Sequence, residues 1–248
     1  VADAGDDDVT ADALLQGRVR LYQPARGARM SLDPVLLAGF LAPPYGRFLD
    51  IGCGAGPLSF LLLARDPAAT GVGVEIQPRL AALARRGRDE NGWAARLDVV
   101  EGDVRQLAGL AEGDFDLVVT NPPYRTVESS PPSPNRERAI AHHEITLRLD
   151  EWTSIAARAV RPGGRVAAIL PASRADRLGL ALVGRGLAPV RTRYARPRAG
   201  EPASRVLIEA RRGEPGIDVV DLPLVVHEPD GQFTPEVRRM LGEDGPSD

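Results

Sequence analysis

The chain reads as an α/β protein built on a mostly parallel sheet with helices on both faces. Three observations predict this. From Arg47 onward, short apolar runs alternate with stretches of helical length, the pattern of repeated β-α units. A glycine loop, Gly52-Cys53-Gly54-Ala55-Gly56, joins the first of these strands to the first of these helices. The apolar run 115–120 stops at Asn121-Pro122-Pro123-Tyr124, where two consecutive prolines can neither donate to a ladder nor continue a strand.

Bulk composition narrows the possibilities. With 248 residues, 43% hydrophobic and 26% charged, one domain with an appendage is the natural count. A formal net charge of −3 supplies no global field for nucleic acid, so any such partner must be held by a local patch. Every basic residue is arginine, the better fork for phosphate. A single cysteine, Cys53, excludes an internal disulfide and a cysteine metal cluster. The three histidines have no zinc spacing, and no metal is expected. No apolar run approaches membrane-spanning length, and the acidic start has no apolar signal core. The expectation is a cytoplasmic protein without a membrane partner; oligomeric state is not legible.

Taken in order, residues 1–11 carry Asp3, Asp6, Asp7 and Asp8 among small residues and predict disorder, drawn as far as residue 15. Residues 18–23 alternate like a strand, and 25–29 offer a turn back. Asp33-Pro34 looks like a helix start, with Asp33 as cap, running to Leu41 before Pro43-Pro44. Strands are predicted at 48–51, 70–75, 97–101, 115–120 and 166–170. Helices are predicted at 57–64, 78–91, 147–160 and 173–185. Segments 190–196 and 205–210 are expected to close the sheet as an antiparallel pair. The polar, proline-rich stretch 125–139 reads as a long loop beside the strand-ending motif. The expected division is a disordered 1–15, a strand-helix extension 16–46 closing over the cofactor, a main domain 47–212 and a tail 213–248.

Ligands in open α/β sheets sit at the carboxyl ends of the strands. There Asn121 offers a side-chain carbonyl and Pro122 a main-chain carbonyl, two acceptors suited to a planar amino group. Tyr124, after Pro123, offers a ring face for stacking a base. In the glycine loop the dinucleotide register fails: the third glycine would fall at Pro57 or Ser59. Asp50 opens the loop, which disfavours phosphate and suits a cation. S-adenosylmethionine is such a ligand, with an ammonium and a sulfonium. Glu75 ends the second strand and can accept ribose hydroxyls; Asp103 ends the third and can accept from an adenine amine. Cys53 reads as a small loop residue rather than a nucleophile.

The run Asp50-Ile51-Gly52-Cys53-Gly54-Ala55-Gly56 followed by Asn121-Pro122-Pro123-Tyr124 resembles class I S-adenosylmethionine-dependent methyltransferases acting on amino nitrogens. More closely, the chain resembles the bacterial tRNA(Val) (adenine-N6)-methyltransferase family. The further matching pieces are Gln23-Pro24 with Arg29, Asp33-Pro34-Val35-Leu36-Leu37, the stretch Pro197 to Leu207, and a tail containing His227-Glu228, Asp230-Gly231, Phe233-Thr234 and Glu236. The likeness spans roughly residues 16–241. It implies a Rossmann-like fold with a seven-stranded, mostly parallel sheet and an antiparallel closing strand. It also implies transfer of a methyl group from S-adenosylmethionine to an adenine amine of tRNA near the anticodon, leaving S-adenosylhomocysteine. Asn121, Pro122, Pro123 and Tyr124 would be catalytic. Arg29, Asp33, Asp50, Gly52, Cys53, Gly54, Gly56, Glu75, Ile76, Asp103, Val104 and Asn121 would contact the cofactor.

Residues 185–212 hold an excess of arginine, from which Arg193, Arg196, Arg198 and Arg205 are the expected RNA contacts. His142, His143 and Glu144 are expected to position the loop rather than act as bases. Alternatives from other classes remain open at this level: a release-factor glutamine methyltransferase, a nicotinamide-dependent dehydrogenase, or a non-catalytic RNA-binding protein.

Overall fold

The computed structural model describes residues 8–26, 29–106, 112–122, 147–213 and 217–243. An N-terminal hairpin, β1 (Val9–Leu14) and β2 (Val19–Pro24), is followed by α1 (Asp33–Phe40). Then come β3 (Arg47–Ile51), α2 (Pro57–Arg65), β4 (Thr70–Glu75), α3 (Pro78–Glu90), β5 (Leu97–Glu101) and β6 (Phe115–Thr120). After these lie α4 (Leu149–Ala159), β7 (Val160–Pro171), α5 (Ala175–Val183), β8 (Leu187–Arg198) and β9 (Arg205–Arg212). The tail adds β10 (Val219–Val220), β11 (Leu224–His227) and α6 (Pro235–Leu241).

The main sheet has nine strands in the order β10-β8-β9-β7-β6-β3-β4-β5, with β11 also pairing β8. The ladders joining β5, β4, β3, β6 and β7 are parallel. The last core strand, β9, inserts antiparallel between β7 and β8. The expected parallel sheet with an antiparallel closing strand is therefore present, widened by two tail strands. Strand order reverses at β3, whose neighbours β4 and β6 belong to opposite halves. A crevice opens at such a switch point, beyond the carboxyl ends of the strands.

Alternation along each strand feeds two cores. Phe48, Leu117, Val119, Ala167, Ile169, Ala195 and Leu207 face α1, α2 and α6. Leu49, Ile51, Val118, Ala168, Leu170, Val206 and Ile208 face α4 and α5. Trp152 anchors the second face at 1% exposure.

Three expectations need correction. The N-terminal stretch is not disordered to residue 15: Val9–Leu14 is a strand paired to β2 from Val9–Pro24 to Leu14–Val19. Its acidic composition hid a period-two pattern that the hairpin partner satisfies. Asp33 does not cap α1; Leu32 occupies that position, and no side chain caps the helix. The tail is not an appendage, because β11 completes the edge of β8 while Val237 and Met240 enter the first core.

The crossing of α1 and α6 is close. A Cβ placed on Gly39 would lie 2.5 Å from Met240 Cγ. Gly39→Val is expected to lower the free energy of unfolding by about 1–3 kcal/mol through overpacking, read as a reduced denaturant midpoint.

Candidate active site

The centre of the site is built from the turn after β3. Gly52, Gly54 and Gly56 have φ of +72°, +58° and +91°, a region closed to most side chains. Their other uses differ. A Cβ at Gly56 would strike the Phe60 ring at 2.8 Å, so that glycine serves packing. A Cβ at Gly52 or Gly54 would meet nothing within 4 Å, so those two leave open space for a ligand. The loop hangs on β4: the N–H groups of Gly52 and Cys53 donate to the Val74 carbonyl at 2.9 and 3.0 Å. Glu75 finishes the attachment, accepting from the Gly54 N–H at 2.9 Å and from the Gln77 N–H at 2.8 Å.

Beside the loop lies a cleft of about 290 Å³. Its walls include Asp50, Gly52, Cys53, Gly54, Glu75, Ile76, Asp103, Val104, Asn121 and Pro122. Its outer wall is Gln23, Arg29, Met30, Ser31 and Pro34. Thr120 Oγ1 donates to the Ile51 carbonyl at 2.9 Å, fixing the end of β6, and hence Asn121, against the start of the glycine loop.

The carboxylates differ in state. Asp50 is 1% exposed and accepts from Ser59 Oγ at 2.7 Å. Burial, reinforced by the nearby charge of Glu75, pushes its pKa up to about 7. Asp103 goes the other way. The Arg105 guanidinium and main-chain N–H both donate to it, holding its carboxyl below the usual range. The Cys53 thiol is buried, and desolvation pushes its pKa well up, so it stays protonated.

Several expected site residues are placed differently. Asp33 does not line the cleft; its carboxylate receives Arg205 Nε at 3.0 Å to both oxygens. One candidate cofactor contact and one candidate RNA contact are thus partners of each other, 172 residues apart in sequence. Arg193 is likewise engaged, donating to both oxygens of Glu236 and to the Leu222 carbonyl. Arg196 and Arg198 lie on the opposite face of β8, with Arg198 paired to Glu201 at 3.5 Å. Pro123, Tyr124, the stretch 125–139, and His142, His143 and Glu144 lie outside the described residues.

Sequence reasoning missed the hairpin's contribution. Asp12 receives Arg29 on both oxygens, at 3.1 and 3.0 Å, and Gln23 Nε2 at 2.9 Å. Thr10 Oγ1 receives Arg29 as well, at 2.6 Å. Gln23 Oε1 in turn accepts the Met30 N–H. The alternation Thr10-Asp12-Leu14 was the available signal. Among the described residues, no group of three or more His, Cys, Asp or Glu could hold a metal.

Comparison with known proteins agrees with this geometry. Residues 32–141 match the methyltransferase small domain family. A predicted O-methyltransferase of Agrobacterium tumefaciens has a TM-score of 0.68 and 27% identity, over 84% of this chain and 94% of that one. A Pyrococcus horikoshii TYW2 structure shares the fold at a TM-score of 0.59 and 15% identity, over 84% of this chain and 72% of that one. Fold and cleft together define a class I methyltransferase.

The curated relatives resolve the family. A tRNA1(Val) (adenine(37)-N6)-methyltransferase of Porphyromonas gingivalis strain ATCC 33277 is 32% identical over 233 residues, covering 90% of this chain and 91% of the relative. One from Aeromonas hydrophila is 30% identical, covering 83% and 85%. The chain belongs to the tRNA1(Val) (adenine(37)-N6)-methyltransferase family.

Asp50 yields a pH test. Its folded pKa lies above the unfolded value, so the native state holds an extra proton between about pH 4 and pH 7. Its stabilising contribution is complete below the unfolded value and is lost as pH rises through about 7. Asp50→Asn should therefore match the parent near pH 4 and be the more stable protein at pH 8, by up to about 4 kcal/mol. Denaturant titrations of both proteins across that range read the difference.

Proposed function

We propose that this protein transfers the methyl group of S-adenosylmethionine to the N6 amine of an adenosine in tRNA, beside the anticodon. The observation that carries the reading is the convergence of two elements on one cleft. Asn121-Pro122 at the end of β6 and the Gly52–Gly56 loop with Glu75 and Asp103 line the same space. The residues fit the cofactor: two glycines leave room beside the main chain, and Glu75 and Asp103 put carboxylate acceptors on the cleft wall for a ligand with hydroxyl and amine donors. When bound, S-adenosylmethionine supplies an electrophilic methyl group on a sulfonium.

The chain's own part is positioning and electrostatics. An adenine amine is flat because its lone pair is delocalised into the ring. The Asn121 side-chain carbonyl and the Pro122 main-chain carbonyl accept its two hydrogens, which favours a pyramidal nitrogen and localises the lone pair. Tyr124 stacks on a base taken out of its neighbours' stack. The hairpin and segment 29–31 close the outer side of the cleft. Arg196 and Arg198, which pair with β11 through the main chain and whose side chains no tail carboxylate among the described residues engages, are the arginines of that group that meet the RNA. The tRNA names of the relatives support this substrate class, and a tRNA substrate accords with a cytoplasmic enzyme. No helix among the described residues is long and apolar enough to cross a membrane.

Asn121→Ala should retain S-adenosylhomocysteine binding and lose at least about a hundredfold in kcat, the scale of a lost transition-state hydrogen bond. Nucleoside mass spectrometry of treated tRNA should show N6-methyladenosine with the parent enzyme and little with the variant. Methylation at the parental rate by Asn121→Ala, or a different methylated nucleoside, would refute the reading.

A further inference from the structure

His227, in the tail, has no part in the cleft, yet it carries one of a pair of orphaned atoms. Among the described residues, three buried side-chain nitrogens have no hydrogen-bond partner: Arg65 Nε, Arg196 Nε and His227 Nδ1. The last two lie on neighbouring strands. β11 runs parallel to β8, with Val225 opposite Arg196 and His227 opposite Arg198. Side chains alternate along a strand, so Arg196, Arg198 and His227 leave the sheet on one face. Strand spacing and rise put the Cα atoms of Arg196 and His227 about 8 Å apart. Phe233 holds the His227 ring, stacking on it with 4.9 Å between centroids and 20° between planes. The turn between them closes through the Glu228 N–H, which donates to the Gln232 carbonyl at 2.8 Å.

A buried donor without a partner is costly, and in a folded protein it calls for a water, an ion or a ligand. Arg196 Nε can only donate, and a neutral imidazole can place its hydrogen on Nδ1. Two such donors on one face of adjacent strands suit an oxygen that is negatively charged and has several lone pairs. Both residues are half-buried, so the rest of each side chain reaches solvent. Arg198 is exposed, and its 3.5 Å contact with Glu201 is a surface pair of the kind worth little in water. It can exchange that partner for a phosphate.

The place in the fold suits RNA. The ladders make β8 run in the same direction as β6, so Arg198 and His227 stand at the sheet edge that carries Asn121. The row of paired residues through Thr120 passes Ala168 and Ile208 and meets β8 at Thr192. Arg196 lies further along β8 toward that edge, with β7 and β9 between β8 and β6. Strand spacing and rise then put it on the order of 20 Å from Asn121. A phosphate held there belongs to a flanking nucleotide rather than to the one whose base enters the cleft.

We propose that Arg196 and His227 together hold one phosphate of the RNA strand flanking the methylated adenosine, with Arg198 beside them, on a docking shoulder built by the tail. The proposal rests on the tRNA reading above and adds to it a second point of attachment and the chemistry of that point.

The test is tRNA binding by the full chain across a range of salt concentrations, for the parent, Arg196→Ala, His227→Ala, His227→Asn and the double alanine variant. Calorimetry with S-adenosylhomocysteine reports whether fold and cleft are intact in each. Each single alanine variant should weaken tRNA binding about tenfold, the scale of a hydrogen bond to a charged group. Each should also lower the slope of log affinity against log salt by about 0.7–0.9, the value for one phosphate. The double variant should lower it no further, because both donors serve the same phosphate. His227→Asn keeps a donor near the place of Nδ1 and should retain most of the parental affinity. Parental affinity in both alanine singles would overturn the proposal, and so would a double variant whose slope loss is the sum of the two. His227→Asn as weak as His227→Ala would reduce His227 to a packing partner of Phe233 and overturn it as well. Should His227→Ala fail to bind S-adenosylhomocysteine, Arg196→Ala and His227→Asn decide, the first with the loss and the second without it. A parent that bound S-adenosylhomocysteine but no tRNA would instead remove the tRNA reading itself.

Discussion

Glu75 is the fastening on which the cleft depends. A carboxylate at 5% exposure must find donors, and it finds them in two main-chain N–H groups on different segments, those of Gly54 and Gln77. Bonds of this kind are charge-assisted and contribute more than neutral ones, roughly 1.5–3 kcal/mol each. They hold a loop that glycine composition would otherwise leave free to move. The same carboxylate acts on Asp50 through space. Asp50 lies in the same dry corner, where burial outweighs its hydrogen bonds from Ser59 and raises its pKa.

The strand pleat explains why a run of arginines does not make a uniform basic surface. Residues of β8 alternate between faces, and the ladder sets which partner each one meets. Ala195 opposes Arg205, and Arg193 opposes Leu207. All four point toward α1 and the tail, where acidic partners wait: Glu236 for Arg193 and Asp33 for Arg205. Tyr194 packs with the second core, so Arg196 and Arg198 leave the sheet on that side. Composition counts arginines; only parity and register decide which are structural. The Asp33–Arg205 pair is partly buried, and loss of one member would strand the other, which is why such residues belong to the fold's accounts before they belong to RNA.

This divides what could be read from the chain. The central strands were legible because they are buried on both faces and read as continuous apolar runs broken by acids and glycines. The glycine loop, Asp50, Glu75, Asp103, Asn121 and Pro122 were legible because each sits at a strand end, where local sequence signals termination. Asp12 was not, since its partners Gln23 and Arg29 come from later in the chain and its own neighbourhood looks disordered in composition. Arg105 was not, because an arginine two residues after an acid is indistinguishable from a solvated loop charge until its geometry is seen. Residues 123–146, which carry Pro123 and Tyr124, lie beyond the described residues, so the strand-ending motif is represented by Asn121 and Pro122 alone.

The strand-helix extension 16–46 was expected to close over the cofactor and the tail had no assigned role; the hairpin and the tail are each joined to the site by a specific contact. The hairpin holds Arg29 and Met30 through Asp12, Thr10 and Gln23, and these hold the outer wall of the cleft. The tail binds Arg193 through Glu236 and seats α6 on α1 at Gly39, and α1 carries Asp33 to Arg205 at the start of β9. Arg205 in turn pairs across the ladder with Pro171, at the end of β7 beside β6. A chain of packed and ion-paired contacts therefore runs from the last helix to the strand ends that flank Asn121. Gln23 and segment 29–34 are thus the outer wall of a cleft whose floor is the central sheet, and the tail reaches that wall only by way of α1.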